Sequence, residues 1–142
     1  MFVNIREKKI LVAGAGRVAA RRVRTLIGFA DRITVIAPEA DDAIRALADA
    51  GRITYLPRRA EAADAGGFDI VIAATSDRAA NAEIGTYCRE NGICVNVADD
   101  PEACDFLFPA VVCKGSLTAG ITSGGEDHTA VRRARERIEE VL

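Results

Sequence analysis

The sequence predicts an α/β fold built on a parallel β-sheet. Short runs of apolar and β-branched residues, typical of buried strands, alternate with segments whose apolar residues recur at the spacing of amphipathic helices. Strands that alternate with helices in this way lie parallel, and we expect short helices on both faces of the sheet. The alternation stops after residue 105, where two strands and a short turn predict a β-hairpin that a last helix follows.

Composition narrows the class of protein before any motif is considered. The 142 residues suffice to bury a core, and 49% hydrophobic with 28% charged residues is typical of a globular protein. A net charge of −2 argues against a nucleic-acid partner. No apolar run reaches the roughly 20 residues that span a bilayer, and residues 1–6 lack a signal-peptide pattern, so we expect no membrane partner and a cytoplasmic location. The four cysteines show no Cys-x-x-Cys spacing and the chain has one histidine, so no metal site is predicted.

A glycine turn joins the first strand to the first helix. Residues 10–13 form the predicted buried strand, Gly14 and Gly16 follow, and an amphipathic helix begins at Arg17. Gly14 permits a tight turn, Gly16 lets a pyrophosphate approach the backbone, and Ala19 stands where a third glycine would be. The helix N-terminus offers unpaired N–H groups and a partial positive charge to phosphates. The turn therefore predicts a dinucleotide site of the Rossmann type.

The end of the second strand supplies a candidate for ribose binding. A helix over residues 17–29 leads to the β-branched run 32–37, which ends at Pro38 and Glu39. An acidic residue about 20 residues after the glycines is placed to accept hydrogen bonds from the ribose hydroxyls. The alternative is that Glu39 is a solvated residue at the start of the next helix. No arginine follows directly to bind a 2′-phosphate, so NAD is predicted rather than NADP.

The middle of the chain continues the alternation of strands and helices. It first predicts a one-sided helix at residues 41–50, an edge strand at 52–56 and a short helix or loop at 60–67. An apolar strand at 68–75, a helix at 78–90 and another strand at 93–97 follow. The apolar strand ends in small and polar residues, and Asp77 is the predicted N-cap of the helix that follows it.

The last part of the chain departs from this pattern. Strands over residues 106–113 and 117–122 predict a hairpin, and the final helix begins near Asp127 or Thr129. Because an exposed sheet edge invites pairing with a second copy, this segment predicts a homodimer. Two domains are predicted. Residues 1–105 form a NAD-binding Rossmann domain, and residues 106–142 form a hairpin and a helix that serve dimerisation and the substrate cleft.

Four stretches match one known family in order and spacing. They are Gly14–Ala19, Ile72–Asp77, Val95–Asp99 with Pro101, and Phe108–Val112 leading to Ser123–Gly125. Together these stretches resemble the precorrin-2 dehydrogenase and sirohydrochlorin ferrochelatase family, which forms the N-terminal module of siroheme synthase. The resemblance covers nearly the whole chain, and the four motifs together are far more specific than the glycine turn alone.

The resemblance implies an activity and a cofactor. Members of the family oxidise precorrin-2 to sirohydrochlorin with NAD, and some also insert ferrous iron to give siroheme. NAD is therefore the expected cofactor and precorrin-2 the expected substrate. The expected cofactor positions follow the carboxyl ends of the first, second and fourth strands, where open α/β sheets bind ligands. They are Gly14, Gly16, Arg17, Val18, Pro38, Glu39, Ala74, Thr75 and Ser76.

Asp99 matches the family's essential aspartate. It lies just beyond the fifth predicted strand, where a carboxylate near the substrate can accept a proton as general base while NAD accepts a hydride. The alternative is that Asp99 and Asp100 only build a turn before Pro101. The resemblance favours the catalytic role for Asp99 and the turn role for Asp100.

The substrate implied by the resemblance is rich in carboxylates, so cationic groups and N–H donors are expected to bind it. Ser123, Gly124 and Gly125 precede a helix N-terminus and are predicted to hold a carboxylate on backbone N–H groups. The alternative is that the two glycines only shape the entry to the helix. The cationic candidates are Lys114, Arg17, Arg132 and Arg133. A solvated helix face explains the last two equally well.

Two departures from the family's pattern leave other functions open. Residues 126–129 (Glu-Asp-His-Thr) stand where members usually have a small residue, serine and proline, and we expect His128 to be a surface residue. The family usually continues into a further helical domain that helps form the substrate cleft, so we expect either that the sequence is truncated or that a partner completes the cleft. The alternative functions are a non-catalytic or partner-dependent NAD-binding module derived from this family, and a generic Rossmann regulatory domain, against which the hairpin argues.

Overall fold

A five-stranded parallel sheet forms the centre of the first part of the chain. The computed structural model describes residues 2–142, which fall into two compact units that meet in the sequence between Phe106 and Leu107. The strands of the first unit are β1 Lys9–Ala13, β2 Arg32–Ile36, β3 Thr54–Leu56, β4 Ile70–Ala73 and β5 Cys94–Val97. Their order is β3-β2-β1-β4-β5, and every neighbouring pair is parallel. This arrangement confirms the predicted fold class.

Helices connect these strands. They are α1 Arg17–Leu26, α2 Asp42–Asp49 and α3 Arg78–Glu90, with 3₁₀ helices at Ala62–Ala65 and Pro101–Ala103. As predicted, α3 begins after Asp77, whose carboxylate accepts hydrogen bonds from N–H groups of the first turn. α1 is shorter than the predicted 17–29, because the N–H of Gly28 donates to the carbonyl of Thr25 and tightens the last turn. None of the helices described within residues 2–142 is both long and apolar enough to cross a bilayer.

Both faces of the sheet are covered. Residues 10–13 of β1 are all 0% exposed, as a central strand between two helical layers requires. On one face Leu11 packs in a cluster with Ile84 and Cys88 of α3. Burial raises the pKa of the Cys88 thiol to about 11, so this side chain stays protonated and packs as a small apolar group. Because side chains alternate along a strand, the intervening residues of β1 face the other side, where α1 buries Val23.

The second unit is a hairpin followed by a helix, as predicted. It contains β6 Ala110–Lys114, β7 Leu117–Ile121 and α4 His128–Val141. The two strands are antiparallel, and their two-residue turn has a positive φ of +60° at Gly115 but not at Ser116, which defines a type II′ turn. β6 begins later than the predicted residue 106, because Pro109 has no N–H to donate to a strand ladder.

Little of the second unit is buried. Val112 is the only residue from 107 to 142 that is buried within the described chain. The apolar side chains of α4, which packs on both strands of the hairpin, are only partly covered. Ala134 and Ile138 are half-buried, whereas Ala130 is exposed and Val141 is 81% exposed.

Candidate functional site

The glycine turn after β1 is held against the end of β4. Gly14 has a φ of +108°, and its N–H donates to the carbonyl of Ile36 at 2.8 Å. A Cβ atom placed on Gly14 would lie 2.2 Å from the carbonyl oxygen of Ala74, which is closer than two such atoms can approach. Both the backbone conformation and the available space therefore require glycine at this position.

The N-terminus of α1 lies open beside this turn. Gly16 is the N-cap, adopts an extended conformation, and has no side chain to bond the first N–H groups of the helix. A Cβ atom on Gly16 would meet nothing within 4 Å, and both Arg17 and Val18 are exposed. Unpaired N–H donors at a helix end, with open space in front of them, suit the pyrophosphate of a dinucleotide. The residues present therefore fit the predicted cofactor.

The end of β2 borders a shallow groove. Pro38 and Glu39 are exposed, and Pro38 contributes to a groove of about 400 Å³ that Arg45 and Tyr55 also line. The hydroxyl of Tyr55 donates to the carbonyl of Ala37 at 3.0 Å, which anchors the chain where β2 ends. The sequence has no arginine directly after Glu39, but α2 brings Arg45 to the same groove, where its Nε donates to the carbonyl of Ala40 at 3.1 Å.

The residues after β4 are ordered by a buried asparagine of α3. Ala74 is buried, Thr75 is half-buried and Ser76 is exposed. The side-chain oxygen of Asn81 accepts hydrogen bonds from the N–H of Thr75 at 2.9 Å and from its hydroxyl at 2.7 Å. The Nδ2 of Asn81 donates to the carbonyl of Thr75 at 3.1 Å. Three bonds to one residue therefore fix the backbone at the carboxyl end of β4.

The same asparagine contacts Asp99. Its Nδ2 lies 3.3 Å from Oδ1 of Asp99 and donates to it, while Nε of Arg78 forms an ion pair with Oδ2 at 3.4 Å. The Asp99 side chain is 32% exposed and that of Arg78 is 83% exposed. Asp100 is also exposed, and it precedes the 3₁₀ helix at Pro101, where its side chain makes no capping bond. The structure thus brings Asp99 and Thr75 to the two sides of one amide group.

The sequence prediction omitted Asn81 and Arg78. A signal for Asn81 was present, because it lies on the same helical stripe as Ile84 and Cys88, both of which are buried. A carboxamide that replaces an apolar residue on such a stripe must find hydrogen-bond partners inside the protein. Arg78 gave no comparable signal, since an arginine in the first turn of a helix is ordinarily solvated.

A second buried amide braces the strand that leads to Asp99. Asn96 of β5 is 3% exposed, accepts a hydrogen bond from Nη1 of Arg22 at 2.5 Å and donates to the carbonyl of Phe106 at 2.8 Å. Burial of the guanidinium lowers the pKa of Arg22 from its ordinary value. These bonds tie α1 to β5 and to the end of the first unit.

Arg17 belongs to the first unit, and the other candidate substrate residues belong to the second, where the hairpin separates Lys114 from the rest. Lys114 is exposed at the turn end of β6, opposite Leu117, whereas Ser123 follows the other end of β7. One strand of five residues spans roughly 17 Å. The geometry therefore does not bring Lys114 to the segment Ser123–Gly125.

That segment has its own local order. The hydroxyl of Ser123 accepts from the N–H of Asp127 at 2.9 Å, and the hydroxyl of Thr122 accepts from the N–H of Gly124 at 3.1 Å. Gly124 and Gly125 have positive φ values of 71° and 92°. Their neighbours on α4, which are His128, Arg132 and Arg133, are exposed. Among residues 2–142 no three His, Cys, Asp or Glu side chains gather as a metal-binding group.

Together, the parallel sheet, the glycine turn and the open helix N-terminus define a dinucleotide-binding domain of the Rossmann type. The family model described as "Putative NAD(P)-binding" matches residues 1–110. The chain therefore belongs to this NAD(P)-binding family, and a nicotinamide dinucleotide is its cofactor.

The similar proteins include siroheme synthases. The chain is 40% identical over 139 residues to the siroheme synthase of Methylococcus capsulatus, covering 98% of this chain and 29% of that protein. It is 36% identical over 142 residues to the siroheme synthase of Pseudoalteromonas atlantica, covering 100% of this chain and 31% of that protein. The chain thus spans about three-tenths of the length of these relatives. The predicted resemblance to this family is confirmed.

A solved structure shares the fold. SirC, a precorrin-2 dehydrogenase, superposes with a TM-score of 0.86 at 22% sequence identity, and the match covers 100% of this chain and 69% of that one.

Proposed function

We propose that this chain carries out the NAD-dependent oxidation of precorrin-2 to sirohydrochlorin. The observation that carries the proposal is the carboxylate of Asp99, held by Asn81 against Thr75 at the carboxyl ends of β4 and β5. An acceptor for a proton thus lies next to the loop that is proposed to contact the cofactor. The similarity to siroheme synthases over the full chain, and the fold shared with a precorrin-2 dehydrogenase, support the choice of substrate.

The cofactor half of the proposal rests on the first unit. The open N–H groups at the start of α1, next to Arg17 and Val18, would bind the pyrophosphate, and the residues from Ala74 to Ser76 would line the nicotinamide side. Pro38 and Glu39 would contact the adenosine ribose. We propose NAD rather than NADP, because the carboxylate of Glu39 would repel a phosphate on the 2′ position.

The proposed chemistry divides one oxidation between cofactor and protein. When bound, NAD would supply the acceptor for the hydride that leaves a substrate C–H bond. Asp99 accepts the proton that leaves the macrocycle and later gives it to water, so the products are sirohydrochlorin, NADH and a proton. Asn81 and Arg78 engage one carboxylate oxygen each. The Asp99 carboxylate therefore approaches the substrate with its remaining lone pairs.

The substrate half of the proposal concerns the second unit. Ser123, Gly124 and Gly125 are proposed to bind substrate carboxylates through backbone N–H groups, with Lys114, Arg132 and Arg133 as cationic candidates. Insertion of ferrous iron stays a prediction from the resemblance. The cytoplasmic location likewise stays a prediction from the sequence.

We also propose a homodimer that forms through the hairpin and α4. Val112 is the only buried residue of the second unit within the described chain, and Leu117 is 57% exposed. A two-stranded hairpin is marginally stable on its own, so a second copy that covers it would stabilise it. Light scattering at micromolar concentration should give twice the chain mass, and the mass of one chain would contradict the dimer.

The experiment that tests the function supplies precorrin-2 with NAD or NADP. NADH absorbance should appear together with sirohydrochlorin, and more slowly with NADP. Asp99→Asn should lower kcat by about 10²–10⁴-fold, because it removes the general base. Asp100→Asn is the matched control, and its kcat should stay within a factor of two. An unchanged rate for Asp99→Asn would show that another group accepts the proton.

The separation of Lys114 from Ser123 favours a second candidate function, a NAD-binding module whose substrate groups come partly from another chain. Calorimetric binding of NAD without any turnover of precorrin-2, at protein concentrations equal to the substrate, would support this candidate over the first.

A further inference from the structure

Both polar atoms of the Asn81 side chain have hydrogen-bond partners. A carboxamide oxygen has two lone pairs, and here it accepts from the N–H of Thr75 at 2.9 Å and faces the Thr75 hydroxyl at 2.7 Å. The single hydrogen of that hydroxyl is shared with the carbonyl of Asp77, which lies 3.0 Å away. The amide nitrogen has two hydrogens, which go to the carbonyl of Thr75 and to Oδ1 of Asp99. A main-chain N–H can only donate and an ionised carboxylate can only accept, so the chemistry of the partners fixes which end of the amide faces each of them.

This arrangement leaves Asn81 little freedom to move. The residue is 1% exposed, so a rotation of the amide would break bonds that water cannot replace. The other partner of Asp99, Arg78, is 83% exposed and is screened by solvent. Of the two contacts, the one from Asn81 therefore determines where the Asp99 carboxylate points.

We propose that Asn81 is a positioning residue that couples the loop at Thr75 to the carboxylate of Asp99. Any shift of the Thr75 backbone moves the amide, and the amide moves the carboxylate. A dinucleotide bound against Thr75 would thus hold Asp99 in its orientation for proton transfer. The inference rests on the proposed function of Asp99, but the coupling itself can be measured without turnover. At 1% exposure, Asn81 is not accessible to a substrate, so it would act through its partners.

The first experiment is a double-mutant cycle on the rate. It compares Asn81→Ala, Asp99→Asn and the double variant, with Asn91→Ala as the matched control. Asn91 is an exposed asparagine at the other end of α3, whose Nδ2 donates to the carbonyl of Tyr87 at 2.8 Å. Asn81→Ala should lower kcat about 10–100-fold, because a displaced carboxylate loses its alignment. Asn91→Ala should leave kcat and the KM for NAD within a factor of two.

The double variant distinguishes positioning from general stabilisation. If Asn81 acts through Asp99, adding Asn81→Ala to Asp99→Asn should lower kcat by less than a factor of two, while the KM for NAD still rises because the Thr75 loop has lost its support. Losses that multiply would overturn the proposal, and so would an unchanged kcat in Asn81→Ala.

The second experiment needs no activity and no Asn81 variant. In nuclear magnetic resonance spectra of the wild-type chain, the side-chain NH₂ protons of Asn81 should exchange slowly and those of Asn91 quickly. Asp99→Asn should shift the Asn81 NH₂ signals and the Thr75 N–H signal. Fast exchange at Asn81, or an unmoved Thr75 signal, would overturn the coupling. If the coupling is present but precorrin-2 is not turned over, the coupling is supported and the proposed activity is overturned.

Discussion

The two units of the chain differ in what fixes their structure. In the first unit, residues 10–13 of β1 are completely buried between helical layers, and the glycine turn is fixed by a backbone contact between Gly14 and Ala74. In the second unit only Val112 is buried within the described chain. The cofactor half of the proposed site is therefore specified by the packing of its own chain. The second unit has too little packing of its own to do the same for the substrate groups.

Substitution of a turn glycine in each unit should give the largest difference. Gly14→Ala should destabilise the protein by about 4 kcal/mol, since left-handed strain costs about 1–2 and overpacking about 1–3 kcal/mol. Gly115→Ala should cost only the strain, about 1–2 kcal/mol, because no atom lies within 4 Å of its Cβ position. Urea unfolding of both variants measures the two free energies. Equal losses would show that the Ala74 contact does not constrain the turn.

Truncation of an apolar side chain in each unit should give the next largest difference. Ile84→Ala should lower the free energy of unfolding by about 3 kcal/mol, because it leaves a cavity in the core where the side chain is 1% exposed. Leu117→Ala, at a residue that is 57% exposed, should change it by less than about 0.5 kcal/mol. Its effect should instead be seen as a weaker dimer in light scattering. A large stability loss from Leu117→Ala in dilute, monomeric protein would contradict this contrast.

Removal of one helix cap in each unit should lower stability less than these truncations, globally in the first unit and locally in the second. Asp77 and Asp127 both accept hydrogen bonds from first-turn N–H groups of their helices, and each cap stabilises its helix by about 1 kcal/mol. Asp77→Ala should lower the midpoint of global unfolding, because α3 is part of the core. Asp127→Ala should mainly speed hydrogen exchange along α4, which unfolds locally. Uniform exchange acceleration in both variants would show that the two units unfold together.

The smallest expected effect is a pH dependence confined to the first unit. Hydrogen bonds from Arg58, at 2.7 and 2.8 Å, lower the pKa of the Asp64 carboxyl below its ordinary value. This pair therefore stabilises the fold at pH values above the ordinary pKa of an aspartate carboxyl, which applies to the unfolded chain. The stabilisation is lost as the pH falls through the lowered pKa of Asp64 in the folded protein. Asp64→Asn should reduce the urea midpoint at pH 7 and have less effect near pH ~2. Glu139→Gln on α4 is the control, since its pair with Arg135 joins neighbouring turns of one helix and contributes little energy.

Most of the fold could be predicted from the sequence, because local signals agreed with the tertiary structure. α3 has its predicted bounds, Arg78–Glu90, since Asp77 caps one end and Asn91 with Gly92 ends the other. Where prediction and structure differ, at the end of α1 and the start of β6, backbone hydrogen bonding decided the boundary. Propensity alone does not report such details.

The candidate site was less accessible to prediction. The glycine turn is a local motif, so the sequence alone indicates it. The bond from Asn81 to Asp99 joins two elements that only the sheet brings together, and no local pattern reports it. The separation of Lys114 from Ser123 was available from hairpin geometry, because a turn and the strand ends necessarily lie apart.

The contact between Gly14 and Ala74 also orders events during synthesis. Gly14 is added to the growing chain well before Ala74, by roughly 3–12 seconds at about 5–20 residues per second. Until β4 pairs with β1, the turn lacks its contact with the backbone of Ala74, which helps to fix the conformation of Gly14. A dinucleotide that binds at this turn would therefore stabilise chains in which β4 has already docked, and would add little to the stability of the nascent N-terminal half.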